Sequence, residues 1–119
     1  MKKLAMAAAL AASIVVPGQA FAGSNIAGAG FTMCGDFEKN VSDQQTREMI
    51  VSWMLGFFSG MNANNDAEGK PQRDLAELGT EEKAGALIDE VVKACEGNAD
   101  SPLVSQVYPL YETLPEYTH

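Results

Sequence analysis

Apolar positions along the chain fall into three helical stripes separated by polar, turn-forming stretches. From Ile50 the apolar residues Ile50, Trp53, Met54, Phe57, Phe58 and Met61 stand at offsets 0, 3, 4, 7, 8 and 11, the spacing of one face of an α-helix. Ser42, with Gln45 three residues on, reads as the capping box that opens this helix. Ala84, Leu87, Ile88, Val91, Val92 and Cys95 repeat the same offsets behind a Thr80 cap, with Glu81 and Glu82 in the first turn. A Gly97 stop follows. Leu103, Val104, Val107, Leu110, Tyr111 and Leu114 form the last stripe, opened by Ser101-Pro102 and ended by Pro115. Pro109 lies inside it and predicts a kink or a split. Cys34 to Asn40, with Phe37 on the side of Cys34, is long enough for one or two further turns. Residues 62–69, "NANNDAEG", predict a polar, mobile loop, and the "RDLAEL" stretch a short helical turn before Gly79. No run alternates as a strand does. The expected fold is all-α: a small four-helix domain over residues 34–115, with a tail at 116–119.

The first residues obey a different pattern. "MKK" precedes a 13-residue apolar run from Leu4 to Val16, which Pro17 and Gly18 break. Ala20 and Ala22 supply the small residues that a signal peptidase reads. This predicts a secretory signal peptide cleaved after Ala22, in a run shorter than the ~20 residues a membrane span needs. Residues 23–33 then read as a flexible, small-residue arm. The predicted localisation is the periplasm, with no membrane span after cleavage.

Export changes the meaning of the cysteines. Cleavage would leave 97 of the 119 residues, with Cys34 and Cys95 both among them. An even cysteine count in an exported chain reads as one disulfide. A zinc site lacks ligands, because the one histidine is His119 and there is no Cys-x-x-Cys pair. No cofactor is expected. Nor is an enzyme: a lone terminal histidine builds no Ser-His or Cys-His dyad, and adjacent carboxylates such as Asp89 and Glu90 diverge on a helix. Loss of Lys2 and Lys3 moves the formal charge from −8 to −10, which disfavours nucleic acid as a partner.

The remaining candidate feature is apolar surface on the second helix. Trp53, Phe57, Phe58 and Met61 are candidates for core or for a protein-binding interface. Gly56 and Gly60, four apart beside Ser52, Ser59 and Ala63, make a bare strip along it. Each glycine costs about 1 kcal/mol of helix propensity relative to alanine. The strip therefore predicts close approach of another helix, from the same chain or from a second subunit.

In order along the chain, "TMCGDF", "WMLGFFSGMN", "VVKAC" and "GNADSPL" resemble the HdeA/HdeB family of small periplasmic proteins. That family shares a Cys-x-x-Phe start, a Trp-x-x-Gly-Tyr-like element and a second cysteine before an Asn-Pro-like turn. Here Asn98-Ala99-Asp100 stands at that turn. The resemblance spans roughly residues 32–114. It implies a disulfide-linked four-helix fold, with Cys34 and Cys95 as the bridge. It also implies an ATP-independent chaperone that protects client proteins in acid when a folded homodimer opens its apolar interface. Trp53, Phe57 and Phe58 fall on that element. A second reading is an immunity protein that neutralises a type VI secretion effector. The Gly-x-x-x-Gly helix resembles that broad group, and an acidic surface suits a basic effector. In either reading the partner is another protein.

Overall fold

The computed structural model describes residues 28–119. The expected signal peptide (residues 1–22) and the start of the arm (residues 23–27) lie outside the described residues. Four α-helices and no strand make up the described chain: α1 (Cys34–Asn40), α2 (Gln44–Ala67), α3 (Glu81–Cys95) and α4 (Leu103–Thr113). Short 3-10 turns, Gly28–Phe31 and Ala76–Gly79, precede α1 and α3. The all-α, four-helix expectation holds.

The longest element, α2, starts one residue later than the capping box suggests. Asp43, not Ser42, is its N-cap, and its carboxylate accepts from Thr46 N at 2.8 Å and Thr46 Oγ1 at 2.9 Å. Two donors on one acidic oxygen, at the positive end of the dipole, outweigh what a serine offers. The helix also runs on through Asn62 to Ala67, where the sequence predicts a loop. Asparagine disfavours a helix because its side chain competes for nearby backbone. Here Asn62 and Asn65 spend their amides on groups outside the helix, so that competition is removed. Gly69, at φ +68°, supplies the left-handed residue that ends it.

A disulfide joins Cys34 to Cys95, with a Cα–Cα distance of 5.2 Å, and ties the start of α1 to the end of α3. Both cysteines are fully buried. Beside the bridge, the first donors of α1 find carbonyls in the turn after α3: Cys34 N–H donates to Ser101 C=O at 2.8 Å and Gly35 N–H to Ala99 C=O at 3.0 Å. A helix with no side-chain cap thus has two of its first donors satisfied by a distant turn.

Thr80 caps α3 as expected, accepting from Lys83 N. Leu87, Ile88, Val91 and Cys95 form its buried face. They share one core cluster with Leu103, Val107 and Tyr111 of α4, which is one continuous helix despite Pro109. Pro109 is exposed, and buried anchors on both sides of it hold the helix together. The helix begins at Leu103 with Pro102 as its N-cap, one position after the expected start. Phe37, Ile50, Met54 and Phe58 join this core, with Ala29 and Leu78 at its edge.

Both expected loose ends are attached. Residues 28–33 pack against α2 and α4, and Leu103 N–H donates to Thr32 C=O at 2.8 Å. At the other terminus Glu116 pairs with Arg73 in an antiparallel bridge, and Tyr117 N–H donates to Gln72 C=O at 2.9 Å.

Candidate protein-binding surface

The stripe on α2 divides between two roles. Ile50, Met54 and Phe58 are fully buried, and Phe58 meets Tyr111 with ring centroids 5.7 Å apart. Phe58 is therefore core. Trp53, Phe57 and Met61 are only half-buried, and Met49 is 52% exposed. These four stand four residues apart, so they form one i, i+4 row that drifts from water toward the core. Trp53 and Phe57 stack with centroids 5.2 Å apart and planes 13° from parallel. That stacking fixes a flat aromatic pair at the border between core and solvent.

Gly56 and Gly60 do not serve the packing expected within the chain. A Cβ built on either would meet no atom within 4 Å, and both residues are exposed. The reason is rotational: Ile50, Met54 and Phe58 turn toward α3 and α4, which points the glycines away from them. Among the described residues no helix covers the strip. Close approach by a second subunit is the part of that expectation left standing. The glycines line an open groove of about 450 Å³ together with Phe57, Met61, Asn64, Tyr108 and Glu112. Tyr108 is 43% exposed, so the groove continues the apolar row onto α4.

One end of this surface is braced by a polar cluster that the sequence reading missed. Tyr111 is buried, and its hydroxyl donates to Asn62 Oδ1 at 2.6 Å and accepts from Asn65 Nδ2 at 3.0 Å. Asn62 also accepts from Arg73 N at 2.8 Å and donates to Arg73 C=O at 2.9 Å. Arg73 bonds Glu112 at 2.9 Å and Leu114 C=O at 3.2 Å, with its guanidinium 6.0 Å from the centre of the Tyr111 ring. A signal for this existed: a tyrosine in a buried stripe needs a partner for its hydroxyl. Which residue would supply it was not visible, since the partners lie 46 and 49 positions away.

The charged groups with shifted titration sit at or just beyond helix ends. Hydrogen bonds from the Thr46 backbone and side chain hold Asp43 below the ordinary carboxylate range. Lys70 lowers Glu68 by hydrogen bond and charge, and Glu68 raises Lys70 in return. Glu90 likewise raises Lys93. Among the described residues no group of three or more His, Cys, Asp or Glu is placed to hold a metal ion, and no helix is long and apolar enough to cross a membrane.

Fold and surface together define a small disulfide-linked α-helical domain that carries a half-exposed aromatic and methionine row. Compared with known proteins, the chain matches no family model, no curated protein and no solved structure.

Proposed function

We propose that the chain is an exported, non-enzymatic, ATP-independent chaperone that binds unfolded proteins in the periplasm under acid stress, through the row Met49, Trp53, Phe57 and Met61. The observation that carries this reading is the incomplete burial of that row, with its stacked aromatic pair, beside a groove bared by two glycines. Half-exposed aromatics and flexible methionines give adaptable apolar contact without a fixed partner shape. The resemblance to the HdeA/HdeB family supports the same reading. An acid trigger is physically open to it, because sixteen carboxylates lose charge around pH ~4 while the basic groups keep theirs.

The test is light scattering of an acid-labile client near pH ~3, with and without the purified protein. Suppressed scattering that is lost in Trp53→Ser/Phe57→Ser supports the reading, and unchanged scattering refutes it. The acidic body keeps the immunity reading as a second possibility, since it suits a basic effector. Tight binding to one effector, with no effect on client aggregation, would favour that instead.

A further inference from the structure

The aromatic row is already occupied at one end by the chain itself. The Gly28–Phe31 turn lies along the indole of Trp53. A Cβ on Gly28 would stand 3.6 Å from Trp53 Cδ1, at one end of the ring system. A Cβ on Gly30 would collide with Cζ2 and stand 3.0 Å from Cε2 and 3.1 Å from Cη2, at the other end. The backbone of this turn therefore rests on the ring so closely that only glycine fits at position 30. Ala29 and Gly30 are buried in this position, and the next residue, Phe31, is 51% exposed.

The turn packs against α2 and α4 but buries little side chain of its own. Its buried side chain is one alanine. The hydrogen bond that ties the segment to α4 is at its far end, from Leu103 N–H to Thr32 C=O. A segment with so little buried apolar area opens at a small fraction of the free energy of global unfolding. What it uncovers is large: the indole of Trp53, already stacked on Phe57 and continuous with Met49 and Met61.

We propose that the Gly28–Phe31 turn is a removable cover on the Trp53–Phe57 surface, and that lifting it opens this surface to apolar segments of unfolded polypeptide. The second half rests on the chaperone reading above; the first half does not. The resting occupant is the chain's own glycine-alanine segment, and an incoming segment displaces it by burying larger side chains on the same rings.

Trp53 is the only tryptophan, so its emission reports directly on the cover. Gly30→Val cannot keep the turn on the ring. The expected result is red-shifted emission and several-fold stronger acrylamide quenching, with unchanged far-UV circular dichroism. At neutral pH this variant should also suppress aggregation of citrate synthase diluted from guanidinium, where the wild type does not. Emission and quenching identical to wild type in a folded Gly30→Val protein would overturn the cover outright. Exposed Trp53 without any gain at neutral pH, while the wild type does protect clients in acid, would overturn this inference and leave the chaperone reading intact. No protection by either protein at any pH would overturn the chaperone reading and, with it, the second half of this inference. The unmodified protein supplies a check that does not depend on the variant folding. The Thr32 amide, which donates to Ala29 C=O at 3.0 Å, should exchange on the order of a hundredfold faster than the Val91 amide in α3. Equal protection of the two would also overturn the proposal.

Discussion

Asn62→Ala tests the bracing cluster most directly. The substitution removes three hydrogen bonds: those with Arg73 N–H, Arg73 C=O and the Tyr111 hydroxyl. Tyr111 retains Asn65 as a partner, but both backbone groups of Arg73 lose their side-chain partner in a part-buried site. At about 1 kcal/mol per bond, reduced for partial access of water, the loss should be about 2–3 kcal/mol. That is a large share of the ~5–10 kcal/mol expected for a domain of this size. With a urea slope of about 1.2 kcal/mol/M, the midpoint should fall by roughly 2 M. Urea titration followed by circular dichroism reads this. Tyr111→Phe removes two bonds, with Asn62 and Asn65, and should cost about 1.5–2 kcal/mol by the same reasoning. Because the two changes share one bond, the double variant should lose about 1 kcal/mol less than their sum. A midpoint shift under ~0.5 M, or strict additivity, would show that the cluster is solvated and that α2 extends to Ala67 for another reason.

Three further outcomes follow from the same structure. Replacing Cys34 and Cys95 together by alanine should cost about 4 kcal/mol, from the loop entropy of a separation of 61 residues, and the variant should melt far below the oxidised protein. Gly56→Ala should raise stability by up to about 1 kcal/mol, since its Cβ meets nothing within the chain; a loss that grows with protein concentration would instead show a second subunit seated on the strip. Asp43 has its carboxyl held below its ordinary value of 3.8 in the folded state, so its stabilisation is complete above the unfolded value and is lost as pH falls through the folded one. Asp43→Asn should therefore flatten the pH dependence of the melting temperature below about pH 4 and leave it unchanged near neutrality; an unaltered acid slope would refute the capping role.

The helices were legible because their causes are local. Offsets of three and four along Ala84 to Cys95 put the apolar groups on one face, and a threonine oxygen at position 80 satisfies the first donors. An even pair of cysteines in a chain read as exported led to the bridge that the structure shows. By contrast, the end of α2 misled: "NANND" carries every local mark of a turn, and its asparagines become helical because Arg73 and Tyr111 take their amides. Gly30 shows the same division. As sequence it is one more small residue in a flexible arm. Packed on Trp53 it is a position where no side chain fits.

The aromatic row divides along this line too. Periodicity alone placed Trp53, Phe57, Phe58 and Met61 on one helix, and it brought Gly56 and Gly60 together as a bare strip. It could not say which of these faces water, because that depends on how α2 rotates against α3 and α4. Only the tertiary structure put Phe58 in the core, left Trp53 and Phe57 at its edge, and turned the glycines outward. Spacing along a helix fixes angles relative to that helix; the direction of the core is fixed by residues far away in the chain.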